Sequence, residues 1–223
     1  MKKVDKASYK NYFKRNYGCH YIQNDISNYC KWFWRQWRYI NGKVQFKEKS
    51  NILEIGSGFG GFYNLFNSSL KEYNYIGLEL DKTACNFANS YFRVACFKNT
   101  SIEEFKIKTK FDYIFAFEVL EHLSDPISSL KKIHSLLNKG GYFIGTSPYP
   151  YKKNILADET HIFVLHPINW QVLFKNAGYK LFNSYPMSFV PYIWRLNKHI
   201  NIRLPFYIPI KYFISTSLII VQK

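Results

Sequence analysis

The feature that most restricts the fold is a short apolar segment that leads directly into a group of glycines. Residues 52–61 read ILEIGSGFGG, with glycine at positions 56, 58, 60 and 61. The apolar run is typical of a buried strand, and glycine lets the following backbone turn tightly and approach a ligand closely. A strand, a glycine-rich turn and a helix in this order predict the first unit of a nucleotide-binding α/β fold.

The rest of the chain alternates short apolar runs with helical patterns, which predicts a parallel sheet with helices on both faces. The predicted strands are 51–55, 75–80, 93–97, 113–117, 141–146, 179–185 and 215–221. Helices are predicted after residue 60 and over 82–90, 126–137 and 167–177. Their termini carry recognisable signals, with Asp81 and Asp125 as caps, Pro126 at a first position and Gly178 after a last turn.

A chain of 223 residues, 47% of them hydrophobic, is long enough for a single domain with its own core. We divide it into a leading helical cap over 1–48, a cofactor-binding core over 49–185, an insertion over 186–213 and a last strand over 214–223. Apolar residues recur at three- and four-residue intervals between Ile22 and Ile40, so the cap contains an amphipathic helix.

The net charge of +16 does not by itself predict a nucleic-acid partner. The basic residues are dispersed, whereas a nucleic-acid site needs them clustered on one face. The aromatic and basic insertion over 186–213 fits either a peripheral contact with anionic lipid or a wall of the substrate pocket. Four cysteines without a CxxC pair, and the lack of an apolar leader, favour a cytoplasmic protein with free thiols.

Charge decides between the cofactors that a glycine-rich turn can bind. Gly56, Gly58 and Gly61 also satisfy the dinucleotide pattern GxGxxG. Glu54, however, would repel a pyrophosphate and attract a cofactor that carries an ammonium and a sulfonium. A second acid, Glu79, ends the next predicted strand, at the roughly 20-residue interval where a carboxylate accepts both ribose hydroxyls. S-adenosylmethionine is therefore the predicted cofactor.

Over residues 50–178 the sequence resembles the class I S-adenosylmethionine-dependent methyltransferases, and among them the group that contains the ubiquinone-biosynthesis O-methyltransferases. Besides the glycine-rich turn, the matching segments are NTSIEE at 99–104, FDYIFAFEVLEH at 111–122 and LLNKGG at 136–141. The resemblance implies a Rossmann-like, seven-stranded, mostly parallel sheet of order 3-2-1-4-5-7-6. Its last strand would be antiparallel, which residues 215–221 suit.

The resemblance also implies how the cofactor is bound. Thr100, Ser101 and Ile102 would flank the adenine, with Asn99 or Ser101 as the partner of its amino group. The end of the fourth strand would approach the methionine part. The complete predicted cofactor set is Glu54, Gly56, Ser57, Gly58, Gly60, Glu79, Leu80, Thr100, Ser101, Ile102, Phe117 and Glu118.

Methyl transfer from a sulfonium needs alignment of the reactants and, for a hydroxyl acceptor, a base. His161, after the fifth predicted strand, is the first candidate base, and His122, after the fourth, is its rival. Asp158, Glu159, His161 and His166 also suggest a metal site. We do not expect one, because the two histidines are five residues apart and not the four that align ligands on a helix face.

The sequence thus predicts an enzyme that methylates oxygen on a small-molecule, glycan or lipid-linked acceptor. A methyltransferase of RNA or protein is the first alternative, although FEVL at 117–120 stands where an NPPY-type tetrad would be. A non-catalytic cofactor-binding or scaffold protein of the same fold is the second. The intact Glu54, Gly56, Gly58 and Glu79 argue against that second alternative.

Overall fold

The computed structural model describes residues 33, 36–69, 72–156, 158–190, 202–210 and 213–223. Most of the predicted leading helix, and the basic centre of the insertion, lie outside these residues. The described part of the leading helix is helical over 36–41 and buries Phe33, Trp37 and Ile40, as its apolar face predicts. Within the described residues, no helix is both long enough and apolar enough to cross a bilayer.

The chain forms two compact units, unit 1 over Met1–Ile114 and unit 2 over Phe115–Lys223. Unit 1 alternates strands and helices. Its elements are β1 (Ser50–Ile55), α1 (Gly61–Ser69), β2 (Tyr73–Leu78), α2 (Lys82–Phe92) and β3 (Phe97–Lys98), followed by β4 (Phe111–Phe117), which crosses the boundary. Strand β2 pairs in parallel with both β1 and β3. The carboxyl ends of these three strands therefore lie at one edge of the sheet.

Unit 2 begins with a short 3₁₀ helix and ends with antiparallel strands. Its elements are the 3₁₀ helix (Leu120–His122), α3 (Pro126–Leu136), β5 (Leu137–Pro148), α4 (Lys152–Leu156), α5 (Pro167–Asn176), β6 (Leu181–Phe189), β7 (Arg203–Leu204) and β8 (Ile214–Gln222). Strand β8 pairs antiparallel with both β5 and β6 and thus lies between them.

The described strands are ordered β3-β2-β1-β4-β5-β8-β6-β7. This order confirms the predicted Rossmann-like α/β class, including an antiparallel last strand between the fifth and the sixth. The predicted count of seven strands was too low by one. Arg203 and Leu204 pair with Phe189 and Ser188, so part of the predicted insertion extends the sheet as β7.

The helix termini follow the predicted local signals. Asp81 Oδ1 accepts a hydrogen bond from the Ala84 amide at 2.9 Å and caps α2. Asp125 Oδ1 accepts one from the Ser128 amide at 3.1 Å and caps α3. Gly178, just beyond α5, has a φ of 100°, a conformation that glycine adopts without steric cost.

The third strand is shorter than the predicted 93–97. Helix α2 continues to Phe92, and Arg93 closes it in the left-handed conformation with a φ of 54°. Its amide donates to the Asn89 and Ser90 carbonyls, so the chain cannot yet be extended. The strand therefore begins only at Phe97.

Aromatic side chains fill the interior of each unit. In unit 1 the Trp37 ring lies 5.9 Å from Phe62 and 4.9 Å from Phe66, both of which are fully buried. In unit 2 the buried rings of Phe143 and Phe174 lie 5.3 Å apart. Such edge and tilted contacts contribute beyond the area they bury.

Gly145 in β5 occupies a position where a side chain does not fit. A Cβ there would lie 2.6 Å from the Ala116 carbonyl oxygen and 2.8 Å from the Phe143 ring. A strand carbonyl cannot rotate away, so we expect Gly145→Ala to lower the free energy of unfolding by about 1–3 kcal/mol, the usual cost of overpacking. Urea unfolding followed by circular dichroism measures this loss.

Gly42→Ala is the matched control for this substitution. Its Cβ would lie 3.7 Å from the Tyr39 carbonyl oxygen, an ordinary contact distance. The free energy of unfolding should change by less than about 0.5 kcal/mol. Equal effects of the two substitutions would contradict the close packing at β5.

Candidate active site

The glycine-rich turn follows β1 and is tied to the end of β2. Gly56, Gly58 and Gly60 have φ values of 72°, 52° and 80°, in the left-handed region that favours glycine. The amides of Gly56 and Ser57 both donate to the Leu78 carbonyl at 2.9 Å. The turn therefore has the tight backbone that the sequence predicts.

Glu79, the first residue after β2, is buried against this turn. Its Oε2 accepts a hydrogen bond from the Gly58 amide, and its Oε1 accepts one from the Asp81 amide, each at 2.8 Å. A carboxylate oxygen has two acceptor positions, so each oxygen can accept a further hydrogen bond. The carboxylate is thus held rigidly and can still bind a diol.

The residues after β3 support the loop after β2. The Asn99 side-chain amide donates to the carbonyls of Glu79 and Leu80, both at 2.9 Å. Beyond it, the Ser101 hydroxyl accepts a hydrogen bond from the Glu104 amide at 3.2 Å, and Ile102 is buried. Leu80 remains exposed, so an apolar surface lies next to Glu79. Residues predicted to bind the ribose and the adenine therefore follow adjacent strands.

Glu54 is placed differently from Glu79, because it lies within β1 and is fully buried. Its Oε2 accepts a hydrogen bond from the Tyr75 hydroxyl. Burial raises the pKa of Glu54 to about 8, the Tyr75 hydrogen bond opposes this rise, and the Glu79 charge adds to it. Sequence reasoning missed Tyr75, although the parallel register pairs it with Ile52, on the same face of β1 as Glu54.

Burial also raises the pKa of Glu79. Desolvation raises the pKa of Glu79 to about 7, and the hydrogen bonds from the Asp81 and Gly58 amides oppose that rise. Glu54 and Glu79 therefore hold a proton more strongly than an exposed glutamate does. The attraction of Glu54 to a cationic cofactor stays a prediction.

In unit 2, Phe117 is the last residue of β4 and Glu118 follows it. Glu118 has a φ of 53°, which is uncommon for a residue other than glycine. Its amide donates to the Thr146 carbonyl at 3.1 Å, and its Oε1 accepts a hydrogen bond from the Thr216 hydroxyl at 2.8 Å. A strained backbone that its neighbours hold in place is typical of functional sites.

Next along the chain, unit 2 brings four titratable side chains together. We call Glu121, His122, Asp158 and His161 the carboxylate–histidine cluster. One ligand atom each of Glu121, His122 and His161 lies within 4.8 Å of the other two. The two imidazole rings are 4.9 Å apart between centroids, and Asp158 Oδ2 lies 3.8 Å from His161 Nε2. His122 and His161, the two candidate bases predicted from the sequence, therefore lie next to each other.

Hydrogen bonds fix the orientation of both rings. His161 Nδ1 donates to the Asn154 carbonyl at 2.8 Å. His122 Nδ1 lies 2.9 Å from the Thr160 hydroxyl, which itself donates to Asp158 Oδ1 at 2.7 Å. Because these partners accept from Nδ1, the lone pair of each neutral ring is on Nε2. Burial and the nearby His161 together lower the pKa of His122 to about 4.

Glu121 lacks the hydrogen bonds that stabilise the acids of unit 1. It is fully buried, and neither carboxylate oxygen accepts a hydrogen bond from the residues that the structure describes. Burial raises the pKa of Glu121 well above its ordinary value, and the Glu118 and Asp158 carboxylates raise it further. Glu121 lies within the 3₁₀ helix.

Of the four residues that the sequence suggested as metal ligands, the structure brings only two together. Asp158 and His161 meet in the carboxylate–histidine cluster, whereas Glu159 is exposed. His166 instead caps α5, with its Nδ1 accepting from the Ile168 amide at 3.3 Å. Sequence spacing could not reveal the other members, because Glu121 and His122 come from a separate segment.

The raised pKa of Glu54 predicts a pH-dependent stability. Between its ordinary value of 4.5 and about 8, the folded chain keeps a proton that the unfolded chain has released. The free energy of unfolding therefore falls as the pH rises through this window. Glu54→Gln has no such proton to lose, so its free energy of unfolding should fall less than that of the wild type. Urea unfolding at about pH 5 and about pH 9 measures both slopes.

Glu48→Gln serves as the control, since it removes a carboxylate that is exposed in the same unit. It should retain the pH dependence of the wild type. If the free energy of unfolding depended on pH equally in the wild type and in Glu54→Gln, the pKa of Glu54 would not be raised in the folded protein.

Comparison with known proteins places the chain among methyltransferases. The model of a methyltransferase domain family matches residues 29–183. A curated relative from Invertebrate iridescent virus 6, named as methyltransferase 235L, is 20% identical over 138 residues, which are 60% of this chain and 49% of the relative. The chain thus spans about half the length of the curated relative that it matches.

Solved structures share the fold. An S-adenosylmethionine-dependent methyltransferase from Archaeoglobus fulgidus has 18% identity and a TM-score of 0.63, with 96% of this chain and 99% of that chain covered. Phosphoethanolamine N-methyltransferase 2 from Haemonchus contortus, solved with S-adenosyl-L-methionine, has 14% identity and a TM-score of 0.67, with 97% of this chain and 60% of that chain covered.

The narrower likeness to the ubiquinone-biosynthesis O-methyltransferases stays a prediction. The broader one rests on the family match, which covers more than half of the residues. The chain therefore belongs to the methyltransferase domain family, and within it to the class I S-adenosylmethionine-dependent methyltransferases that its sequence resembles.

Proposed function

We propose that this chain transfers the methyl group of S-adenosylmethionine to an oxygen of a small-molecule, glycan or lipid-linked acceptor. The observation that carries the proposal is the position of the Glu79 carboxylate. It is buried at the carboxyl end of β2, and backbone amides on either side hold it. Ligands of open α/β sheets bind at this edge.

The surroundings of Glu79 suit the nucleoside half of the cofactor. The two ribose hydroxyls would donate to the two carboxylate oxygens, each of which has a second acceptor position. Leu80 offers exposed apolar surface to the adenine, and Thr100, Ser101 and Ile102 are assigned to the same base. The Haemonchus contortus neighbour was solved in complex with S-adenosyl-L-methionine, which supports the same cofactor for this chain.

Gly56, Ser57, Gly58 and Gly60 would approach the rest of the cofactor through their backbone. The left-handed φ at the three glycines explains why this turn carries glycine. The roles of Phe117 and Glu118 near the methionine part stay as the resemblance predicts them.

The acceptor side of the proposal rests on the carboxylate–histidine cluster of unit 2. In methyl transfer the sulfur leaves as a neutral thioether that needs no proton, whereas a hydroxyl acceptor must lose one. Two imidazoles beside buried carboxylates are groups suited to activating a hydroxyl. We therefore assign activation of the acceptor to the cluster as a whole, which merges the separate roles predicted for His161 and His122.

The cofactor half of the proposal is tested at Glu79. Glu79→Ala removes two charge-assisted acceptors, so S-adenosylmethionine should bind roughly 10- to 100-fold more weakly in calorimetry. Glu72→Ala is the control, because Glu72 is an exposed acid of the same unit that pairs with Lys49 at 3.4 Å. The Glu72→Ala variant should bind S-adenosylmethionine as tightly as the wild type does. Tight NAD binding without any S-adenosylmethionine binding would overturn the assignment of the cofactor.

The acceptor half is tested by transfer of a labelled methyl group. The protein is incubated with labelled cofactor and, in separate reactions, hydroxylated small molecules, glycans, RNA and protein. Label in an O-methyl group of a small molecule or glycan is the expected result. Label confined to RNA or protein would contradict it, and cofactor binding without transfer to any of these would favour the non-catalytic alternative.

A further inference from the structure

The Nε2 atoms of the carboxylate–histidine cluster face carboxylate oxygens. His122 Nε2 lies 3.9 Å from Glu121 Oε1, and His161 Nε2 lies 3.8 Å from Asp158 Oδ2. With Nδ1 protonated on each ring, both Nε2 atoms present lone pairs to oxygen lone pairs. Such acceptors repel one another unless a proton or a cation lies between them. Both separations exceed hydrogen-bond distance, so no shared proton links these atoms and the geometry points to a cation.

We propose that Glu121, His122 and His161 bind a divalent transition-metal ion, with Asp158 beside them. Metal–nitrogen and metal–oxygen distances of about 2.0–2.2 Å place neighbouring ligands about 3–4 Å apart around one ion. The three ligand atoms already lie within 4.8 Å of one another, so small side-chain movements would close the site.

The partners of Nδ1 strengthen this assignment. Metal-binding histidines almost always donate their other nitrogen to a carbonyl, carboxylate or similar acceptor, which fixes the ring and its tautomer. His161 donates to the Asn154 carbonyl, and His122 reaches Asp158 through the Thr160 hydroxyl. Both rings are therefore oriented in advance, with Nε2 as the coordinating atom.

Glu121 supplies an independent observation. Its carboxylate is fully buried and accepts no hydrogen bond from the described residues. Nor does any lysine or arginine among those residues form an ion pair with it. A buried carboxylate without a partner is costly, and a coordinated cation removes that cost.

The donor set indicates the kind of metal. Two imidazoles and one carboxylate suit first-row ions such as Mn²⁺, Fe²⁺, Co²⁺ and Zn²⁺, whereas Mg²⁺ and Ca²⁺ prefer oxygen ligands alone. Three protein ligands leave coordination positions open for a water molecule or a substrate oxygen. The site therefore has the open coordination of a catalytic metal site and not the closed coordination of a structural one.

The role of the ion rests on the proposed function, although its binding does not. An acceptor hydroxyl on the open position would lose its proton to water more readily, because the cation stabilises the alkoxide. The oxygen would then form the bond to the methyl carbon, and the sulfur would keep the electron pair of the broken S–C bond. The metal would thus perform the activation assigned above to the cluster.

Metal binding is tested directly on the full chain after treatment with a chelator. The metal-free protein is titrated with Mn²⁺, followed by electron paramagnetic resonance, and separately with Co²⁺, followed by its visible absorption. One ion per chain is expected in both titrations. Glu121→Gln and His161→Ala should weaken binding by more than the roughly 10- to 100-fold typical of losing a residue that only supports a ligand. His134→Ala is the control: it removes a histidine that packs on Tyr179, and it should leave metal binding unchanged.

Thermal unfolding separates a metal ligand from a residue needed only for folding. In chelator, Glu121→Gln should unfold at the wild-type temperature or above it, because it removes an uncompensated buried carboxylate. Added Mn²⁺ should raise the midpoint of the wild type and not that of this variant.

The outcomes distinguish the two proposals. The absence of stoichiometric binding in both titrations, or unchanged binding in both variants, would overturn the metal site. If S-adenosylmethionine still binds in calorimetry, the proposed function survives that result. If the ions bind and S-adenosylmethionine does not, the metal site stands and the proposed function fails.

Discussion

The hydrogen bond from the Gly58 amide to the Glu79 carboxylate is the interaction on which the candidate cofactor site of unit 1 depends. It joins the turn after β1 to the loop after β2. The second oxygen of the same carboxylate accepts the Asp81 amide and so fixes the start of α2. Asn99 then holds the carbonyl of Glu79 itself. One buried acid thus organises three consecutive loops, because buried backbone amides must find acceptors.

The acids of the two units show how compensation decides what a buried carboxylate does. Glu79 and Glu121 lose comparable contact with water, yet Glu79 has backbone donors and Glu121 has none among the described residues. The Asp81 and Gly58 amides oppose the rise that burial causes in the pKa of Glu79. An uncompensated acid such as Glu121 needs a proton or a cation.

The features that could be predicted from the sequence are those encoded locally or by the family resemblance. Caps such as Asp81 involve residues within one helical turn, and the glycine-rich turn requires a backbone that only glycine adopts readily. The predicted start of the third strand at residue 93 was wrong because Arg93 ends a helix in the left-handed conformation. Arginine seldom adopts this conformation, so the sequence does not predict it. The hydrogen bond between His122 and Thr160 spans 38 residues, and no periodicity in a single sequence encodes such a pair.

The placement of β8 has a consequence for the way the chain is made. Because β8 lies between β5 and β6, both of those strands present an open edge until it has been synthesised. Twenty-four residues separate the end of β6 from the start of β8, which a ribosome adds in about 1–5 s at typical elongation rates. Open strand edges are templates for pairing with other chains. Nascent chains of this topology therefore pass through an aggregation-prone interval, and its length is set by the distance along the gene between β6 and β8, two strands that are neighbours in the sheet but not in the sequence.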